Sequence, residues 1–458
     1  MIFSSIPFLY YYLPAALGVY FLAPKRGKNV VLLISSLIFY GWGEPKLLLL
    51  MVFTILLFYV CGLAMGRAGD RGRRGWMIFA VAASLFLLGL FKYADFFIGS
   101  FNSLTGLSLP LLRLALPVGI SFYTFQCISY MVDVYRGRVP PQKNLVSFGA
   151  YVSLFPQLIA GPIVRYADVA RELENRESGN VAAGLGRFLV GLGKKVLLAD
   201  QFALLCSLFR QSGEKSVLFY WLYAISFTLN IYFDFSGYSD MAIGLGRVFG
   251  FHFLENFDYP YLSGSITEFW RRWHMSLGSW FRDYVYIPLG GSRCSRGKWI
   301  RNILIVWVLT GLWHGAAWNF VLWGLFFAGL LLLEKQTPIL EKLPGALRHG
   351  YVMLTVVLSF VLFNAGSLGE AWQDFTCLFG FGNLPFYTAE TGYYLASYAV
   401  LLLLGILGAT PLPRRAAMKI RAGRTGPLWE LAALAFLLLV STAYLVDGSF
   451  SPFLYFRF

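Results

Sequence analysis

The run LLLLMVFTILLFYVCGLAM, residues 47–65, holds nineteen residues without a charge, and Arg67, Arg71, Arg73 and Arg74 follow directly behind it. A helix of about 20 apolar residues is the length that crosses a bilayer core. A basic cluster just after such a run marks the cytoplasmic side. The same texture recurs along the chain. Apolar stretches occupy 7–23, 29–43, 76–91, 114–132, 145–160, 183–208, 217–246, 300–333, 350–366, 393–410 and 428–446. Composition agrees: of 458 residues, 58% are hydrophobic and 13% charged, against about 25% charged in a soluble domain. Too few charges remain to cover a soluble surface of this size.

Three stretches are irregular. Lys194, Lys195 and Asp200 interrupt 183–208, while 217–246 is long for one simple span and carries Asp234 and Asp240. The stretch 300–333 reads as two short helices or a broken pair. The expectation is one all-α polytopic membrane domain over 1–458, with about eleven transmembrane helices and some re-entrant backbone, which is tolerated only where protein or a wet cavity surrounds it. Between 114 and 320 polar, aromatic, Gly and Pro residues are interleaved with shorter apolar runs, as a cavity for polar ligands requires.

Lys25, Arg26 and Lys28 follow the first apolar stretch and no basic residue precedes it, the reverse of a cleavable signal, so it is read as a retained span. Further basic clusters at Arg293, Arg296, Lys298 and Arg301, and at Arg414, Arg415, Lys419, Arg421 and Arg424, place both termini outside. The net charge of +15 is held in these inter-span clusters, suits anionic lipids and a phosphate-bearing substrate, and comes with no nucleic-acid-binding module. Cys61, Cys127, Cys206, Cys294 and Cys377 lack zinc or redox spacing. Neither a metal site nor a tightly bound cofactor is expected. The pairs Gly184/Gly186, Gly191/Gly193 and Gly244/Gly246 complete no phosphate loop and read as close helix packing.

Chemistry has few places to reside. Of four histidines, His349 reads as a solvated loop residue and His252 as an interfacial or packing one. His314 stands apart, in Thr310-Gly311-Leu312-Trp313-His314-Gly315-Ala316-Ala317-Trp318-Asn319. An ionisable side chain in an apolar region is a functional candidate, and a neutral imidazole can take a hydroxyl proton. A buried structural histidine is the alternative. His274 follows Thr267-Glu268-Phe269-Trp270-Arg271-Arg272-Trp273, with Trp280 and Arg282 beyond. This segment reads either as an interfacial belt of snorkelling arginines or as an anion-binding mouth for a nucleotide, with Trp270 and Trp273 stacking and Arg271, Arg272, Arg282, Lys194 and Lys195 supplying charge. Asp234, Ser236, Tyr238 and Asp240, in Tyr232–Asp240, read either as orienting groups or as structural ones, with the two carboxylates expected to pair with Arg271, Arg272 or a histidine.

These runs resemble the membrane-bound O-acyltransferases, in particular the bacterial branch of alginate O-acetylation. The resemblance spans about 115–335, taken as the catalytic core. It includes Leu116-Pro117-Val118-Gly119-Ile120-Ser121-Phe122-Tyr123-Thr124-Phe125-Gln126, Leu154-Phe155-Pro156-Gln157, Asp234–Asp240, Glu268–Ser276, Trp280–Gly291 and Thr310–Asn319. It implies a central tunnel, acetyl-CoA as acyl donor from the cytoplasm, His314 as the catalytic histidine, and His274 at the second functional position. It further implies a bacterial cytoplasmic membrane location and a secreted or membrane-anchored extracytoplasmic acetyltransferase as partner. The related D-alanine branch leaves the acyl group open. A transporter or flippase of a lipid-linked saccharide, or a non-catalytic scaffold, are the competing classes. Finally, Phe453-Leu454-Tyr455-Phe456, in the tail 448–458, resembles the Phe-x-Tyr-Phe ending of the small subunit of teichoic-acid D-alanylation. That likeness makes Tyr455 a candidate acyl carrier, against an interfacial aromatic belt.

Overall fold

A computed structural model describes residues 2–158, 161–177, 179–337 and 342–448. Every element among them is helical. Six helices are long and apolar enough to cross a membrane: Leu48–Arg67, Asp70–Thr105, Trp318–Gln336, Gly345–Asn364, Ala389–Gly408 and Gly426–Asp447. The chain forms two compact units, Met1–Phe188 with Ser239–Leu254, and Leu189–Tyr238 with Glu255–Phe458.

In the first unit Lys28–Gly43, Leu48–Arg67, Asp70–Leu88 and Ile120–Tyr135 are the main helices. The rings of Phe3, Phe8, Phe39 and Phe155 pack together in its core. The Pro117-Val118-Gly119 turn starts the deeply buried Ile120–Tyr135 helix. Gly119 is required there twice over: its φ is +75°, and a Cβ would lie 2.6 Å from the Leu158 carbonyl oxygen. The stretch 145–160 is not one helix. Leu145–Ser153 ends at Leu154, and Phe155–Leu158 follows, since Pro156 has no N–H to continue the ladder.

The second unit holds the later helices. Polar residues do not break 183–208 but widen it: Val181–Gly193 passes through a π-helical turn, Lys194–Ala199, into Asp200–Gln211. There Lys195 is buried and lies 2.7 Å from both Asp200 and Asp234. With Asp234 so paired, Val217–Val248 runs as one unbroken helix of 32 residues. The stretch that read as long for one simple span is thus a single helix, and its carboxylates are met inside the protein. The stretch 300–333 is a broken pair, Arg296–His314 and Trp318–Gln336. These two helices meet through glycine: a Cβ on Gly311 would strike the Phe320 carbonyl oxygen, and one on Gly324 the Trp307 carbonyl oxygen.

Candidate active site

His314 is the last residue of Arg296–His314, and extended Gly315 carries the chain away from it. A Cβ on Gly315 would strike the Phe320 ring, so glycine permits the tight break that leaves the imidazole at a helix end. His314 is buried and packs edge-on against Trp313, Trp323 and Phe363, with ring centroids 4.9, 5.2 and 5.3 Å away. Asn319 fixes one wall by donating from Nδ2 to the carbonyls of Ala365 at 3.0 Å and Phe363 at 3.4 Å.

His274 is positioned by different means. It caps Met275–Phe281 in the left-handed region, φ +47° and ψ +51°, a conformation uncommon for a residue with a side chain. Such strain persists where its surroundings fix it. Glu334 supplies part of that fixing, accepting from the N–H groups of Ile266 and Thr267 at 2.6 and 2.9 Å at the start of the preceding helix, Ile266–Arg272. Asn256 supplies the rest. Its Oδ1 accepts from Ser276 N–H at 3.2 Å and Ser276 Oγ at 2.9 Å, and lies 3.2 Å from His274 Nδ1. An oxygen held as acceptor assigns the proton to Nδ1 and leaves Nε2 as the bare acceptor. His274 Nε2 is buried and has no hydrogen-bond partner among the described residues. The short helices that carry His274 lie outside the six apolar spans, and desolvation pushes its imidazole down to about 3.

The two histidines share a neighbour. His274 lies 5.5 Å from the Trp313 ring, with Phe235 edge-on to it at 4.6 Å on another side. Both imidazoles therefore border one indole. Trp270 extends the aromatic wall, packing on Trp307, Trp323 and Phe327 at 4.8, 5.5 and 4.8 Å. The indole N–H groups of Trp270 and Trp323 are buried without a partner among the described residues.

The remaining candidates are placed as follows. Trp273 is packed among Phe257, Tyr261, Phe269 and Phe360, as a core residue. Arg272 pairs with Glu268 at 2.8 Å, and Arg282 with Asp283 at 2.7 Å, which raises the Arg282 guanidinium further above its ordinary value. Arg271 is exposed. Lys195 is closed between carboxylates and Lys194 is half-buried beside it. Ser236 and Tyr238 are buried on Val217–Val248. The expected pairing of Asp234 and Asp240 with Arg271, Arg272 or a histidine is corrected: Asp234 meets Lys195, and Asp240 meets Arg187 at 2.7 Å within the first unit. Opposite charges closer in the fold satisfy them first. His252 is exposed and paired with Glu172. His349 lies in the Gly345–Asn364 helix, not a loop, with Nδ1 3.3 Å from the Ser263 carbonyl. Tyr455 lies outside the described residues.

Sequence reasoning missed Asn256, Phe235 and Trp323 as parts of this site. Phe235 sits inside the Tyr232–Asp240 run, where the carboxylates Asp234 and Asp240 carry the stronger signal. Asn256 and Trp323 carry no local signal that separates them from packing residues.

The family model described as the membrane-bound O-acyltransferase family matches residues 140–389. The chain is 39% identical to a probable alginate O-acetylase of Azotobacter vinelandii, with all of both chains covered. It is 36% identical to a peptidoglycan O-acetyltransferase of Helicobacter pylori over 81% of this chain and 78% of the relative. To a teichoic acid D-alanyltransferase of Bacillus subtilis it is 28% identical, over 54% and 67% of the two chains. A family model over more than half of the chain, and relatives matched end to end, select the enzyme over a transporter or scaffold: the chain belongs to the membrane-bound O-acyltransferase family and is a multi-pass membrane acyltransferase.

Proposed function

We propose that this enzyme moves an acetyl group from cytoplasmic acetyl-CoA, through a tunnel among about eleven membrane helices, to a hydroxyl used in cell-envelope or exopolysaccharide O-acetylation. His314 is the general base. It takes the acceptor's hydroxyl proton as the oxygen attacks the thioester carbonyl. The C–O bond forms, the C–S bond breaks, and the proton passes to the departing CoA sulfur. The observation that carries this reading is the pair of buried imidazoles on one indole. His274 takes the orienting role, not that of an oxyanion donor. With Nδ1–H committed to Asn256, Nε2 accepts a hydrogen bond from the acceptor hydroxyl or a donor amide. The oxyanion is met by an unpaired buried N–H, and Trp323, edge-on to His314, carries one. Exclusion of water by the aromatic wall suppresses hydrolysis of the thioester.

Acetyl is preferred because the relatives matched end to end are named for O-acetylation, whereas the D-alanyl relative matches less of the chain. Exposed Arg271 is the residue best free to meet a CoA phosphate. Tyr455 is the proposed first acceptor. A tail phenol has a high effective concentration near its own tunnel, and an extracytoplasmic acetyltransferase then receives the ester on the outer side of the cytoplasmic membrane. Purified protein incubated with labelled acetyl-CoA, digested and examined by mass spectrometry, tests the scheme. Label is expected on the terminal peptide of the wild type and absent from Tyr455→Phe and His314→Ala. Full polymer acetylation in cells carrying Tyr455→Phe overturns the carrier role. Consumption of a D-alanyl carrier in place of acetyl-CoA overturns the donor.

A further inference from the structure

The last two apolar helices, Ala389–Gly408 and Gly426–Asp447, are joined by a segment of unlike character. Within it Leu412–Arg421, LPRRAAMKIR, is helical, and none of its residues is buried. Leu412, Ala416 and Ile420 recur every fourth residue and so share a face. Arg414 and Arg421 lie on the opposite side, and Arg415 and Lys419 flank the apolar face, where long basic side chains reach outward to headgroup depth. Leu412 and Ile420 are each 55% exposed. This helix lies beyond the family match, which ends at 389.

Its neighbours fix where it sits. The apolar windows of the two flanking helices are only 11% and 6% buried within the protein, which leaves their apolar faces for lipid, and the connecting helix falls at the ends of both spans. It is tied to the second of them. A Cβ on Gly426 would strike the Arg421 carbonyl oxygen, and Arg421 Nε lies 3.1 Å from Glu430 Oε2. Trp429, 63% exposed near the start of that span, is the type of side chain that marks headgroup depth.

We propose that Leu412–Arg421 is an interfacial helix that docks on the membrane surface and selects anionic phospholipid. Leu412, Ala416 and Ile420 enter the acyl boundary. Arg414, Arg415 and Lys419, with Arg424 just beyond, hold the headgroup phosphodiesters. An acidic soluble partner would satisfy the basic side but leave the apolar side in water. A lipid surface satisfies both at once, at the depth the flanking spans impose.

The full chain in nanodiscs of equal parts phosphatidylcholine and phosphatidylglycerol provides the test, with co-purifying lipid counted by native mass spectrometry. Phosphatidylglycerol is expected to be enriched on the wild type. Enrichment should fall about fivefold for each charge removed in the series Arg414→Gln, Arg415→Gln and Lys419→Gln, and stay within about twofold for Arg414→Lys with Arg415→Lys. Amide exchange over 410–425 supplies a second measurement that does not depend on lipid counting. It should be slower in the mixed bilayer than in phosphatidylcholine alone for the wild type, and equal in both for the triple glutamine variant. Ile420→Asn should speed exchange in both bilayers. Undiminished enrichment in the triple glutamine variant, or wild-type exchange indifferent to lipid charge, overturns the proposal and assigns the basic side to a soluble acidic partner.

Discussion

Trp318–Gln336 and Gly426–Asp447 are both apolar enough to cross a membrane, yet they do opposite things. The first has 39% of its apolar window buried in protein at a hydropathy of 1.3; the second has 6% buried at 1.9. The more hydrophobic helix faces lipid and carries no part of the candidate site. The less hydrophobic one brings Asn319, Trp323 and Gly324 against His314 and its supporting helix. Val217–Val248, with Asp234 buried on it, falls outside the six apolar helices altogether. Hydropathy alone does not sort the spans by burial, since Leu48–Arg67 is also 39% buried at a hydropathy of 2.6. The chemistry of a membrane enzyme sits where that signal weakens, because polar groups there have protein partners.

The largest effect that would break this contrast is at His314. His314→Ala should lower the rate of acyl transfer by about 10²–10⁴-fold, the usual worth of a general base. Yield and melting of the purified protein should change far less. Val400→Ala, on the lipid-facing Ala389–Gly408 helix, should leave the rate unaltered. A His314→Ala enzyme with wild-type turnover in proteoliposomes would remove the base assignment. Next in size is Trp323→Phe, which keeps most of the ring packing and deletes the buried N–H. A loss of about 10²-fold in kcat, with KM for the donor little changed, marks an oxyanion donor. A purely packing role would appear instead as lower stability with kcat preserved.

The same contrast governs what the sequence disclosed. The weakly buried Ala389–Gly408 and Gly426–Asp447 were legible to within a few residues, as 393–410 and 428–446, because length and hydropathy suffice to find them. That 300–333 is more than one helix was legible too, since the stretch is too long for a single simple span, but where it breaks was not. The pairing of Asp234 was not. Lys195 and Asp234 are distant in sequence, and the lysine sits buried in a π-helical turn. Asn256 was also hidden. It lies in an ordinary-looking loop, and its role rests on the left-handed backbone at His274, which no local pattern announces. Trp270, Trp273, Arg271 and Arg272 are adjacent in sequence yet differ in surroundings. Trp270 joins the aromatic wall, Trp273 the core, and the arginines the outer side.

Glycine substitutions sharpen the comparison on a single helix. A Cβ at Gly324 meets the Trp307 carbonyl oxygen, whereas one at Gly329 meets nothing within 4 Å. Backbone cannot move aside as a side-chain tip can, so Gly324→Ala should cost about 1–3 kcal/mol and separate the two helices that frame His314. Gly329→Ala should be neutral or slightly stabilising, since alanine is the better helix former. Thermal unfolding in detergent distinguishes them. Equal midpoints for the two variants would mean that the helices do not pack through Gly324.

The smallest expected effect concerns protons. The His274 imidazole is held down to about 3 by burial, while in the unfolded chain it titrates near its ordinary value of about 6.5. The unfolded state therefore takes up a proton as pH falls through about 6.5, and the folded state does not until about 3. The stabilisation that follows is complete above the unfolded value and is lost progressively as pH drops across that window. The slope is about 1.4 kcal/mol per pH unit. Lowering the pH from about 7.5 to 5.5 should thus cost the wild type about 1.4 kcal/mol more than a His274→Gln variant, whose amide does not titrate in this range. Other titrating groups contribute equally to both proteins, so the difference isolates this one imidazole. If wild type and His274→Gln lose stability in parallel between those pH values, His274 is hydrated in solution. Its Nε2 is then not held bare, and the orienting role assigned to it fails.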